Sequence, residues 1–67
     1  MTLDEFVLRN KSIGERLDLI ANRTANMAWL GIANSSNPAF VELMKAQQHL
    51  LDAADRLLSL FEKSGTT

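Results

Sequence analysis

Apolar residues recur along most of the chain at intervals of three and four, the spacing that places side chains on one face of an α-helix. No stretch alternates apolar and polar residues for long enough to predict a strand. The segment 34–38, with the sequence NSSNP, is the strongest interruption, because Asn37 suits an N-cap and Pro38 a first helical position. The pattern therefore predicts an all-α fold with helices on both sides of a turn at 34–37.

Two helix-start signals precede this turn. Thr2 and Ser12 are each followed three residues later by a glutamate, the arrangement called a capping box. We expect the first box to begin a short helix over about 3–9, with a break at Asn10 and Lys11. We expect the second box to begin a longer helix over about 13–33.

The chain after the turn predicts a helix over about 38–63, followed by a frayed tail over 64–67. Its apolar face is wider than one neighbouring helix can cover. We expect one half of that face to pack antiparallel on the 13–33 helix, with residue i opposite residue 71 − i and Thr24 hydrogen-bonded to Gln47. All 67 residues then form one domain, a short helix followed by a two-helix hairpin.

The other half of the wide apolar face stays uncovered in a single copy, since the short first helix reaches only one end of it. An exposed apolar stripe marks an interface, and a hairpin of this size gains little stability from its own core. We therefore expect two copies to complete a four-helix bundle as a homodimer or a larger assembly. The residues expected to mediate this self-association are Leu43, Ala46, Leu50, Ala53, Leu57 and Leu60.

The composition of the chain argues against several classes of function. Seven Lys and Arg against eight Asp and Glu give a net charge of −1, which opposes nucleic-acid binding. There is no cysteine, and the single histidine, His49, lacks the further ligands that a metal site needs. We expect no enzyme activity and no cofactor or metal. The apolar runs are shorter than the ~20 residues that span a bilayer, so we expect no membrane association and a cytoplasmic location.

The segment 27–33 is apolar around its whole circumference, and Trp29 points away from the predicted hairpin contact. Because tryptophan is over-represented at binding hot spots, Trp29 is either covered by a second copy or binds a different protein. Asparagine is a poor helix former, so Asn22 and Asn26 beside Arg23 indicate hydrogen bonding to a partner. The expected partner-binding residues are Trp29, Leu30, Ile32, Arg23 and Asn26.

These features predict a small non-enzymatic helical interaction protein that binds, and inhibits or regulates, a larger protein. Compact helical inhibitors of this size are common in bacteriophages, which suggests a phage or other mobile element as the source. One alternative is an oligomer that sequesters a small ligand in pockets between subunits, lined by Asn22, Arg23 and Asn26. A weaker alternative is a transcription-related DNA-binding protein, which the net charge opposes.

Overall fold

The computed structural model describes residues 1–65, which form two long helices and no strand. Helix α1 covers Leu3–Trp29 and helix α2 covers Pro38–Gly65. The rings of Phe6 and Phe61 stack with their centroids 4.4 Å apart, so the start of α1 lies beside the end of α2. The chain is therefore an antiparallel helical hairpin, 50 × 17 × 11 Å in extent, which confirms the predicted all-α hairpin.

The N-terminal part of the hairpin is one continuous helix. The hydroxyl of Thr2 accepts a hydrogen bond from the backbone N–H of Glu5 at 3.2 Å, so the first capping box begins α1. Ser12, the first residue of the second box, lies exposed inside the same helix and caps nothing. The separate short helix predicted over 3–9 is therefore wrong, as is the start of a second helix at 13.

The physical reason for this continuity lies in packing on α2. Asn10 and Lys11 lower helix propensity by only a few tenths of a kcal/mol each, whereas a true interruption needs proline or a capped end. A continuous helix keeps Phe6 and Ile13 seven residues apart on the same face. Both side chains are half-buried, and Phe6 stacks on Phe61 in this arrangement.

The C-terminal end of α1 comes at Trp29, four residues before the predicted end at residue 33. Gly31 has a φ of 75°, a left-handed conformation that glycine adopts without strain. Its N–H donates to the carbonyl of Ala28 at 3.1 Å, and the N–H of Ile32 donates to the carbonyl of Met27 at 2.9 Å. These two bonds form a Schellman motif, so Gly31 ends the helix instead of packing within it.

The connection between the helices is held by asparagine side chains. Asn37 accepts a hydrogen bond from the Ala39 N–H at 3.1 Å and donates one to the Ile32 carbonyl at 3.0 Å. The side-chain oxygen of Asn34 accepts from both the N–H and the hydroxyl of Ser36. The N-cap predicted at Asn37 is thus confirmed, and its second bond fixes the path of the chain after α1.

Helix α2 begins at Pro38, as the sequence predicts, and continues through Gly65. The first two residues of the predicted frayed tail over 64–67 are consequently helical. Thr66 and Thr67 lie outside the described residues.

The contact between the helices, called the seam here, is formed by buried and half-buried residues at three-and-four spacing. Ile20 and Leu57 are its most buried members, 8% and 6% exposed. The α1 members are Phe6, Ile13, Leu17, Ile20, Thr24 and Met27, and the α2 members include Phe40, Leu43, Gln47, Leu50, Ala54, Leu57 and Phe61.

The seam on α2 differs from the predicted one in both face and register. Phe6 stacks on Phe61, so residue i lies opposite about residue 67 − i, one helical turn from the predicted 71 − i. The predicted partners Leu51 and Leu58 are instead 42% and 46% exposed. The prediction fails here because leucine occupies both 50 and 51 and both 57 and 58, so two adjacent apolar lines compete for α1.

The predicted hydrogen bond between Thr24 and Gln47 does not form. The hydroxyl oxygen of Thr24 is buried without a hydrogen-bond partner among the described residues. A buried polar group without a partner costs stability, so this layer is a weak point of the seam.

Candidate interaction surfaces

The hairpin exposes more surface than a compact chain of its mass and leaves many large apolar side chains accessible. The accessible surface is 5204 Å², whereas a compact folded chain of 7.4 kDa is expected to expose about 4,200 Å². The radius of gyration is 15.1 Å, against about 11 Å for a compact domain of this length. The large apolar side chains at least 36% exposed are Leu3, Val7, Leu8, Leu19, Trp29, Leu30, Ile32, Leu51, Leu58 and Leu60.

One group of these side chains lies where α1 ends. Trp29, Leu30 and Ile32, named the tip patch here, are 90%, 69% and 43% exposed. Trp29 occupies the last residue of α1, directly before the Schellman motif at Gly31, so its backbone is held by the hydrogen bonds of that motif. The tip patch therefore presents a large aromatic ring from an ordered backbone, as protein-binding hot spots do.

The two polar residues expected to bind a partner lie next to the tip patch. Arg23, Asn26 and Leu30 follow one another at spacings of three and four, so they share one face of α1 near its end. Asn22 and Asn26 are both exposed. Arg23 lines an open depression of about 350 Å³ together with Met27, Ala39, Glu42 and Leu43.

The residues expected to mediate self-association do not share one exposed surface. Leu57 is buried in the seam, and Leu43, Leu50 and Ala53 are half-buried. Ala46 and Leu60 are exposed. Part of this stripe is thus already used to hold α2 on α1, and other residues must provide any apolar contact between copies.

A second apolar surface of exposed and half-buried residues, which the sequence analysis did not identify as a whole, runs along one side of the hairpin. It is named the leucine flank. Each of its α2 members directly follows a seam residue of α2 in the sequence. Its α1 members are small residues that stand in the same relation to the seam residues of α1. The leucine flank consists of Met44, Leu51 and Leu58 from α2 and of Gly14, Ala21 and Ala28 from α1. The signal in the sequence is the seven-residue spacing within each helix.

The opposite side of the hairpin is basic and is named the arginine flank. Arg9, Arg16 and Arg23 follow one another at seven-residue spacing on α1, and Arg56 lines the same depression as Arg9. These are the four arginines of the chain. All four are exposed, and none has a carboxylate within 4 Å among residues 1–65. The α2 residues that line these depressions beside the arginines include Ala39, Glu42, Ala53 and Leu60.

The described part of the chain has no cluster of metal-binding side chains. His49 is exposed on α2, and residues 1–65 contain no group of three or more potential ligands that would hold a metal ion. The carboxylate of Asp52 accepts a hydrogen bond from Gln48 at 3.0 Å and is not aimed at His49. Neither described helix has a segment long and apolar enough to cross a membrane.

Comparison of the chain with protein-family models, with curated protein sequences and with solved structures gave no match.

Proposed function

We propose that this protein is a non-enzymatic helical interaction protein, which self-associates and uses its tip patch to bind, and thereby inhibit or regulate, a larger protein. The observation that carries the proposal is Trp29, a ring 90% exposed at the end of an ordered helix. Exposure of so large an apolar group is unfavourable in an isolated chain, so a function in binding accounts for it.

The surroundings of Trp29 favour a protein over a small molecule as the partner. Leu30 and Ile32 extend the apolar area along the chain, and Arg23 and Asn26 add hydrogen-bond donors beside it. An apolar centre with a polar edge is the usual composition of a protein interface. A small ligand is usually enclosed on most sides, whereas the depression beside Arg23 is open to solvent.

Inhibition or regulation follows from the size and shape of the hairpin. A rod 50 Å long with a rigid aromatic tip can occlude the surface to which it binds. A source in a bacteriophage or another mobile element is part of this proposal, in keeping with the size and helical architecture of such inhibitors.

Substitution of Trp29 by alanine tests the proposal. The matched control is Leu19→Ala, because Leu19 is 56% exposed on the same helix and lies outside the tip patch. We expect one host protein to be captured by the wild type and by Leu19→Ala but lost with Trp29→Ala. With that protein purified, the dissociation constant should rise about 30-fold or more for Trp29→Ala, the scale of a hot-spot residue.

Thermal melting of Trp29→Ala distinguishes this function from a structural role. If the tip patch binds a different protein, the melting temperature stays near that of the wild type. If another copy of the chain buries Trp29, the substitution costs about 3–5 kcal/mol of stability, and the wild-type fluorescence is blue-shifted. That second outcome would contradict the proposed partner site.

A further inference from the structure

The leucine flank shows which surface a second copy of this chain would cover. We propose that two copies pack through their leucine flanks about a two-fold axis parallel to the helices. Met44 and Leu51 of each copy then lie on Ala21 and Gly14 of the other. This inference rests on the self-association in the proposed function and specifies its geometry.

The excess of exposed surface on the hairpin is about the area that one additional copy would cover. The chain exposes about 1,000 Å² more than a compact chain of its mass. A standard protein interface buries about 800 Å² on each partner. Covering one flank of the hairpin with a second hairpin is therefore enough to bring the exposed surface into the range of an ordinary folded protein.

The shape of the leucine flank determines the direction of the axis. Since residue i lies opposite about residue 67 − i, Ala21 is level with residue 46 of α2, about 3 Å along the axis from Met44, and Gly14 stands in the same relation to Leu51. A two-fold axis parallel to the helices keeps these levels and places α1 of one copy on α2 of the other. Met44 then meets an alanine and Leu51 a glycine, the large-on-small packing that fills a bundle core.

The other two-fold arrangement has its axis perpendicular to the helices. It would place α1 on α1 and α2 on α2, so that leucines meet leucines and alanines meet alanines. The first contact is overfilled and the second leaves a gap, which makes this arrangement the poorer one.

Charge disfavours the opposite side of the hairpin. A contact through the arginine flank would bury Arg9, Arg16 and Arg23 of both copies, and none of these has a carboxylate within 4 Å among residues 1–65. Burying a charge without a partner is costly. The leucine flank has no charged residue among its six members.

The absence of cysteine from the chain allows a direct test by disulfide cross-linking. Two single variants, Ala21→Cys and Met44→Cys, are purified separately, mixed and oxidised. Separate variants are needed because these positions are also neighbours within one copy. We expect the mixture to give a dimer that contains both variants, since facing positions come within the ~4.4–6.8 Å Cα separation of a disulfide.

Three controls make the result specific. Ala21→Cys alone should not cross-link, because equivalent α1 residues lie diagonally across the proposed bundle. A cross-linked dimer of this variant alone would show the perpendicular axis and overturn the proposal. A mixture of Arg16→Cys and Ala53→Cys tests the arginine flank in the same way. A cross-linked dimer from this mixture, with none from the leucine-flank pair, would also overturn the proposal. Circular dichroism of each variant verifies that it is folded.

A charge substitution gives a second, independent readout. Leu51→Lys should raise the dimer dissociation constant about 100-fold or more, since each dimer carries the change twice. Leu19→Lys, an equally exposed control outside the flank, should leave it unchanged. If the wild type is a stable dimer and both variants change its dissociation constant equally, the leucine flank is not the interface, although the protein still associates with itself. A monomeric wild type would reject both.

Discussion

Two glycines provide a test of how α1 is built, because alanine should have opposite effects at the two positions. Gly14 lies inside α1, and Gly31 lies just beyond its end with a φ of 75°. No heavy atom outside the local backbone lies within 4 Å of the Cβ that either substitution would add. Packing therefore contributes little within one chain, and the two variants report backbone conformation.

The expected magnitudes follow from helix propensity and from the left-handed conformation. Gly14→Ala should stabilise the protein by about 0.5–1 kcal/mol, the difference between glycine and alanine in a helix interior. Gly31→Ala should destabilise it by about 1 kcal/mol, because a Cβ is unfavourable at positive φ. In the proposed dimer Gly14 occupies the same heptad position as Ala21 and Ala28, so an alanine there is also compatible with the second copy.

The assay is thermal unfolding followed by circular dichroism at one protein concentration. A change of 1 kcal/mol corresponds to about 4–8 °C in the melting temperature of a domain of this size. Gly14→Ala should melt higher and Gly31→Ala lower than the wild type. If Gly31→Ala were neutral or stabilising, α1 would continue through residue 31, and the Schellman motif would be refuted. A destabilising Gly14→Ala would show that α1 is not a regular helix at that point.

Two further comparisons address the cap of α1 and the seam. Thr2→Ala should cost about 1 kcal/mol of stability, whereas Ser12→Ala should be neutral or slightly stabilising, since only Thr2 caps a helix. A clearly lower melting temperature of Ser12→Ala would instead indicate that a second helix begins at Ser12. Thr24→Val should raise stability by about 1 kcal/mol, because it removes a buried hydroxyl without a partner and keeps the side-chain shape. Destabilisation of Thr24→Val in urea unfolding would show that the hydroxyl is hydrogen-bonded in solution.

Local signals in the sequence predicted the parts of the fold that depend on local chemistry. The cap at Thr2, the N-cap at Asn37 and the start of α2 at Pro38 each follow from a few adjacent residues. The glycine at 31 was an equally local signal for the end of α1, but its place in an apolar segment favoured a helix over it. In the structure, the helix ends at this glycine, which has a positive φ.

Features that depend on distant contacts were harder to predict. The capping box at Ser12 is a valid local signal, but α1 continues through it, and Phe6 packs against Phe61 near the other end of the chain. The face of α2 that packs on α1 was ambiguous, because the consecutive leucines at 50 and 51 belong to two adjacent apolar faces of the helix, and either could contact α1. The leucine flank could be recognised only after the seam had been located, since its members are what the seam leaves exposed or half-buried beside it.

The central claim, that this hairpin acts through its exposed apolar surfaces and associates with itself, is tested most directly by sedimentation equilibrium across a range of concentrations. The account predicts a particle of twice the 7.4 kDa chain mass at micromolar concentration, with a melting temperature that rises with concentration. A single species of 7.4 kDa whose melting temperature does not depend on concentration would contradict the account.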